Sequence, residues 1–555
     1  MNFLESIFER LRGNTERPVL QQVDAGKLLS SNGRQVLGLV HAARSFLLDA
    51  GLKKGDRCAL LAANDVRWAA LDLAAMAEGL IVVPLYSRQA PNELAGMMQD
   101  CSPSLIVCGD TALRDGVARV WPQMPPALLF EEIFVRGSGV ADDGRAPIPL
   151  SASDPVTIIY TSGTSGEPKG VVLNVGNLNH MMRCTTERLD LLMGNTTRPD
   201  SVFHYLPFCF AGSWVLLLSC LSRNAVLTIN TDLDRLKQDL ELATPDYFLN
   251  VPTLLERVRA GITEQIRKRG GVGHLIFDHA MKTYLCGHAG RSGIREAVWL
   301  MLAGALVFPK VRASIGPNLR ALICGSAPLA VETQLFFMML RIPVLQVYGL
   351  TETTAICTMD DPRRVEPGRV GPAIPGIEMA VGEDQEILVR GSNIFPSYWN
   401  RPRETAKVLR DGWFHTGDQG EVDASGNWRI AGRIKNLIIL NSGHNIAPEP
   451  LEDELARRLP GAQQVVLVGN GCSFLSAIIC GSCASSDIER VLEQFNQELP
   501  HYKRIRAFHL SSEAFSIENG LLTANGKLKR DAIAVRFRPA IDEMYAAVVD
   551  SAKPA

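Results

Sequence analysis

Short continuous apolar runs alternate with helical patterns along most of this chain. RCALLAA (57–63), VRWAALDLAAMAEG (66–79) and LIVVPLY (80–86) follow one another in the order strand, helix, strand. That order predicts βαβ units and a largely parallel sheet. SLIVCG, VTIIYTS, AVLTI, DYFLNV, LRALICG and VLQVYG read as further buried strands, each closing on or beside Gly, Ser, Thr or Asn, where a loop begins. In open sheets of this kind ligands bind at the carboxyl ends of the strands. Near residues 380–432 the pattern changes to short strands with turns, EDQEILVRG, DASGN and WRIAG, which predicts a small β subdomain. Beyond Gly432, strands such as AQQVVLVG and FLSAIICG and the helix DIERVLEQFNQEL form a unit of lid size.

The expected architecture is α/β. A large N-terminal domain of layered α/β subdomains spans 1–432, with its β subdomain at about 365–432. A small α+β lid follows over 433–540, then a tail over 541–555. The length agrees, because 555 residues exceed the ~250 to 300 at which single cores stop growing. With 46% hydrophobic and 21% charged residues, the composition is that of a globular protein. A net charge of -2 offers no overall attraction to nucleic acid. The N-terminal MNFLESIFERLRG carries acidic residues and reads as an amphipathic surface helix rather than a secretory leader. The longest apolar run, Ala297 to Phe308, is shorter than the ~20 residues a membrane span needs. The expected location is the cytoplasm, with transient contact at a membrane surface left open. The Cys480–Cys483 pair lacks a second pair or a nearby His, so a metal or redox site is not expected there.

The sharpest chemical signal is Thr161-Ser162-Gly163-Thr164-Ser165-Gly166-Glu167-Pro168-Lys169-Gly170, directly after the strand VTIIY. Glycines, hydroxyls and one lysine make a loop of N–H and O–H donors suited to a polyphosphate. The spacing is neither that of a P-loop nor that of a dinucleotide-binding turn.

Together with this loop, CGSAPL (324–329), QVYGLTETT (346–354), GWFHTGD (412–418), GRIKNLIILNSGHNIAPEPLE (432–452) and NGKLKR (525–530) occur in the order found in the adenylate-forming superfamily. The chain resembles that superfamily of acyl-CoA synthetases, luciferase and peptide-synthetase adenylation domains over nearly its whole length. The resemblance implies ATP, Mg2+ and coenzyme A as participants. The Thr161–Gly170 loop would hold the phosphates. Tyr348, followed by Gly349, would stack on adenine, whose edge Gly325, Ser326 and Ala327 would recognise. Thr351 would bond the α-phosphate and Glu352 would hold the magnesium, a hard cation that prefers carboxylate oxygen. Asp418 would clamp the ribose hydroxyls with Arg433 as its partner. Lys527 would supply the cation for adenylation, Lys435 would sit at the hinge, and Gly443 and His444 would lie on the face presented to coenzyme A after the lid rotates.

Two departures stand out: Asn436 follows the hinge lysine where an acidic residue is usual, and Phe210 stands where a histidine is common. FCFAGSWVLLLSCL (208–221) reads as an apolar helix bordering the site, with Phe210 and Trp214 as walls of an acyl pocket, although Trp214 reads equally as a core residue. LIFDHAMK, LVFPKVRASIGPNLRALICGSAPL and NIAPEPLE look like the long-chain fatty acyl-CoA synthetase branch. The implied reaction is activation of a fatty acid to acyl-AMP and transfer to coenzyme A. The alternatives are delivery of the acyl-AMP to a carrier protein, closure of a lactone, or a non-catalytic acyl or nucleotide sensor.

Overall fold

The structure is a computed structural model that describes residues 1–134, 144–162, 168–194, 196–288, 294–523 and 526–551. The βαβ pattern folds into two large sheets. The eight-stranded sheet runs Thr358–Met359, Val344–Tyr348, Ala321–Cys324, Tyr247–Asn250, Asp200–His204, Ala225–Ile229, Pro18–Asp24 and Lys27–Asn32. Its inner pairings are parallel and its two outermost pairings antiparallel. The seven-stranded sheet runs Ser397–Tyr398, Pro168–Asn174, Pro155–Ser162, Ile81–Leu85, Arg57–Leu61, Leu105–Cys108 and Ala127–Leu129.

The largest core joins the two sheets through the helices Val66–Ala77, Val175–Met193 and Ala211–Ser222. These helices are apolar on most faces, as elements covered on two sides must be. Every residue of Val66–Ala77 except Arg67 is buried. The N-terminal helix Phe3–Gly13 opens on an Asn2 capping box and turns Phe3, Leu4, Ile7, Phe8 and Leu11 into the same core. A second core lies between Ala321–Cys324, Val344–Tyr348 and the helices Gly271–His288 and Val331–Met339. The run Ala297 to Phe308 is divided by the end of the helix Ile294–Leu306, and the next helix begins at Phe308 with a proline in its first turn.

The short strands after Gly376 form an antiparallel five-stranded sheet around Ile387, Val389 and Trp428. The C-terminal unit wraps a three-stranded sheet, Ala462–Val468, Leu475–Gly481 and Ile505–Ser511, with helices on both faces. Residues 541–551, expected in the tail, are instead the body of the helix Arg538–Ser551. Met544 is buried there, and the Tyr545 hydroxyl donates to the carbonyls of Val468 and Phe474 at 3.0 and 3.1 Å.

Candidate active site

Strand after strand ends at one place. Ala62–Asn64, Tyr86–Arg88, Thr161, Tyr205–Phe210, Asn230–Thr231, Val251–Thr253, Gly325–Ala327 and Gly349–Glu352 each follow or close a strand, and all line one cavity of about 930 Å³. This is where parallel strands place a ligand, because the loops that leave their carboxyl ends converge there.

One part of the cavity is cationic. Arg88, Lys169, Lys407, Arg410, Arg433, Lys435 and Lys527 line it, against Glu352, Glu386 and Glu404. The excess of positive charge suits a polyphosphate or a carboxylate. The other part is apolar: Leu189, Phe210, Val215, Leu216, Leu249, Ile323, Ile356 and Met359 form a channel between the eight-stranded sheet and the helices Val175–Met193 and Ala211–Ser222. Phe210 stands beside Tyr86 with ring centroids 5.6 Å apart. Trp214 does not face this channel. Its indole N–H donates to Asp72 Oδ2 at 2.8 Å inside the core, so the wall expected of Trp214 is formed instead by Ser213, Val215 and Leu216. Burial pushes the Asp72 carboxyl up to about 7, and the Trp214 hydrogen bond opposes that rise.

Glu352 follows the strand Val344–Tyr348 on a short 3-10 turn and accepts a hydrogen bond on Oε1 from the Tyr398 hydroxyl at 2.7 Å. The Glu352 carboxylate is the kind of hard oxygen ligand that Mg2+ takes, the rest of its shell coming from phosphate and water oxygens rather than from a protein cage. No cluster of three or more His, Cys, Asp or Glu that could hold a metal ion converges among the described residues. Lys169 is held by Glu404 at 2.7 Å and lies over the Tyr398 ring at 5.4 Å. Lys169 and Lys407 together pull the Glu404 carboxyl down to about 2. Tyr398 and Glu404 went unread in the sequence. The only signal for them is a dense aromatic and polar run, SYWNRPRET, between two predicted strands.

Asp418 and Tyr348 are hydrogen-bonded to each other, Tyr348 Oη to Asp418 Oδ2 at 2.8 Å, and Arg433 pairs with Asp418 Oδ1 at 2.9 Å. Burial raises the Asp418 carboxyl, and the Arg433 cation opposes the rise. Neither Tyr348 nor Asp418 is among the residues that line the cavity, whereas Gly349, Gly417 and Arg433 beside them are. Gly349 is required for a steric reason: a Cβ there would sit 2.2 Å from the Ala355 carbonyl oxygen. Gly325, Ser326 and Ala327 lie together on the wall, with Ser326 in the left-handed region at φ 74°.

Lys527 reaches the same cavity from the C-terminal unit. It sits on a tight turn in which Thr523 N donates to the Lys527 carbonyl at 2.7 Å and Lys527 N donates to Thr523 Oγ1 at 3.0 Å. Its side chain faces the open cavity yet is enclosed by protein around it. That burial lowers the ammonium pKa, the Arg433 cation lowers it further, and Asp418 and Glu352 oppose the fall. Lys435 also lines the cavity, while Asn436 donates to Glu449 Oε1 at 2.5 Å. Gly443 and His444 are not brought to the site. His444 stacks on Tyr502 at 4.3 Å and Gly443 lies exposed at φ 81°. Thr161 lines the cavity, whereas Gly163, Thr164, Ser165 and Gly166 lie outside the described residues, as does the side chain of Ser162.

The sequence profile of AMP-binding enzymes matches residues 8–399, and that of the AMP-binding enzyme C-terminal domain matches residues 435–549. Long-chain-fatty-acid–CoA ligase FadD15 of Mycobacterium bovis is 28% identical, over 98% of this chain and 97% of its own. Long chain acyl-CoA synthetase 3 of Arabidopsis thaliana is 27% identical, over 94% of this chain and 88% of its own. Among solved structures, the adenylation domain of a carboxylate reductase from Mycobacterium chelonae shares the fold with a TM-score of 0.76 at 20% identity, covering 98% of this chain and 91% of that one.

Proposed function

The chain belongs to the AMP-binding enzyme family, and on that premise we propose that it joins a fatty acid, most suitably a long-chain one, to coenzyme A through an acyl adenylate. The observation that supports this most is the single cavity whose lining joins a group of cations to the apolar residues Leu189, Phe210, Val215, Leu216, Leu249, Ile323, Ile356 and Met359. A fatty acid has that same polarity, a carboxylate head on an apolar chain. The sizes agree as well, since about 930 Å³ lies within the ~300–1,000 Å³ of small-molecule sites.

In the first half-reaction a carboxylate oxygen attacks the α-phosphorus of ATP. The new P–O bond forms as the bond to pyrophosphate breaks. Two anions must meet, so the barrier is largely electrostatic, and a cation fixed beforehand at the meeting point lowers it. Lys527, held on its turn, would be that cation. Thr351 would donate to the α-phosphate, and the ion pair between Lys169 and Glu404 would yield Lys169 to the outer phosphates. Magnesium held by Glu352 would neutralise phosphate charge. In the second half-reaction the thiol of coenzyme A attacks the acyl carbon and AMP leaves with the electron pair. A carboxylate is a poor electrophile at that carbon; the mixed anhydride is a good one.

The test is release of pyrophosphate and AMP from magnesium-ATP across fatty, aromatic and amino acids, each with and without coenzyme A. The expected outcome is AMP turnover that requires both a long-chain fatty acid and coenzyme A. Acyl-AMP that accumulates without a thioester, whatever the coenzyme A concentration, would instead favour delivery to a carrier protein or lactone closure. Absence of pyrophosphate release with every acid would favour a sensor.

A further inference from the structure

The carboxylate of Asp100 stands where a helix least favours one. It lies in the last turn of the helix Pro91–Cys101, at the end whose free carbonyls carry partial negative charge. Two distant parts of the chain converge on it. Arg401 pairs with Asp100 Oδ1 at 2.9 Å, and the Tyr160 hydroxyl donates to Asp100 Oδ2 at 2.7 Å. The Trp399 indole N–H and the Asn400 amide donate to the Asp100 carbonyl at 3.3 and 3.2 Å. Arg57 donates to the next two carbonyls, those of Cys101 and Ser102, at 2.9 and 2.6 Å, and lies over the Trp399 ring at 5.8 Å. Carbonyls that lack partners within the helix are thereby satisfied from outside it, and the carboxylate is left to Tyr160 and Arg401.

Asp100 and Arg401 do not line the cavity, but Asp100 is one hydrogen bond from Tyr160, which does. Tyr160 faces Gly170 across the antiparallel strands Pro155–Ser162 and Pro168–Asn174, and Thr161 faces Lys169. Trp399 N donates to the Gly170 carbonyl at 2.7 Å. Only glycine allows this approach: a Cβ at 170 would stand 2.6 Å from Ile158 Cγ2, 3.2 Å from the Tyr160 ring and 3.3 Å from Trp399 Cβ. The segment 397–405 that carries Trp399 and Arg401 also carries Tyr398, which donates to Glu352, and Glu404, which holds Lys169. Burial pushes the Tyr160 hydroxyl well above its ordinary value, so it stays protonated as the donor to Asp100.

We propose that Asp100, Tyr160 and Arg401 are positioning residues that hold Thr161 and Lys169 in place for the outer phosphates of a nucleoside triphosphate. Lys169 is a point charge on a flexible stem, so its place depends on what surrounds it. Its surroundings are Glu404 and the Tyr398 ring, both on the segment that Arg401 ties to Asp100. Thr161 directly follows Tyr160, whose ring is tied to the same carboxylate. One side chain outside the cavity therefore fixes both cross-strand neighbours inside it. The consequence is selective. Outer phosphates are present in ATP and absent from AMP and from an acyl adenylate, so loosening the assembly weakens the first and spares the other two. That selectivity rests on the nucleotide part of the reading above, and not on which acid is activated.

The experiment is titration calorimetry of the full chain with magnesium-ATP and, separately, with AMP, neither of which needs an acid. Asp100→Ala should weaken magnesium-ATP about tenfold, the lower end of what losing an orienting partner costs. AMP affinity and thioester formation from supplied acyl-AMP should stay unchanged. Tyr160→Phe, which keeps the ring over Gly170, should weaken magnesium-ATP less, and the double variant should be no worse than Asp100→Ala alone, because both remove the same contact. Arg401→Gln, at a partly exposed side chain, should give the same ATP-specific loss and replaces Asp100→Ala if that variant does not fold. The proposal is overturned if Asp100→Ala and Arg401→Gln bind magnesium-ATP as the wild type does, or if ATP affinity, AMP affinity and thioester formation decline together. Failure of the fatty-acid reading would look different: the ATP-specific loss in Asp100→Ala would stand while no fatty acid released pyrophosphate from the wild type.

Discussion

The C-terminal unit carries two turns that resemble the family's functional segments, and the structure treats them oppositely. The turn Thr523–Lys527 delivers a lysine into the cavity beside Arg433, whereas the turn Leu440–His444 stays outside it, with Gly443 exposed and His444 stacked on Tyr502. Both are tight turns, closed by Thr523 N to the Lys527 carbonyl at 2.7 Å and Leu440 N to the His444 carbonyl at 3.1 Å. They differ in which face of the unit they occupy. On the proposed reaction, this orientation of the unit would serve the step that needs a cation at the phosphate and would leave the second turn idle. Two of the ion pairs that tie the unit to the rest among the described residues are Lys529 to Glu93 at 3.2 Å and Arg457 to Glu332 at 3.7 Å, both partly exposed. Such pairs contribute about 0.2–1 kcal/mol each.

If the contrast is right, substitutions in the two turns damage different halves of the reaction. The largest effect is expected from Lys527→Ala, which should slow pyrophosphate release by about 10²–10³-fold, the range for losing one fixed electrostatic contact. Thioester formation from supplied acyl-AMP should remain, and equal loss in both assays would break the distinction. Gly443→Val forces a β-branched residue to φ 81°, a strain of about 1–2 kcal/mol. It should slow thioester formation about tenfold and leave pyrophosphate release unchanged. The smallest effect concerns pH. Because burial and Arg433 lower the Lys527 pKa, the ammonium is lost at a lower pH than an ordinary lysine. kcat/KM for adenylation should fall on the alkaline side below the usual lysine range, and Lys527→Arg, charged throughout, should remove that limb even if it lowers the rate.

Much of this was legible in the sequence where a motif carries its own local structure. Gly349 and Thr351 follow the strand Val344–Tyr348 directly, so placing the strand places them. The relations between distant segments were not legible. Phe210 and Trp214 stand four residues apart in a largely apolar run, and nothing in that run says which faces the channel. The answer lies 142 residues away, where Asp72 accepts the indole N–H. The same holds for Glu404, whose grip on Lys169 spans 235 residues, and for the division of the strands between two sheets, since apolar runs mark a strand as buried without naming its neighbours.

The most direct test holds the C-terminal unit where it stands. Glu93→Cys with Lys529→Cys, bridged by a short bis-maleimide, would fix the Lys527 turn in the cavity and the Gly443 turn outside it. Ten of the eleven described cysteines are buried, and the single Lys529→Cys variant treated alike controls for the half-buried Cys472. The account predicts one equivalent of pyrophosphate per bridged enzyme, acyl-AMP retained, and no acyl-CoA, with full turnover in the unbridged double variant. Acyl-CoA produced by the bridged enzyme at the unbridged rate would contradict it.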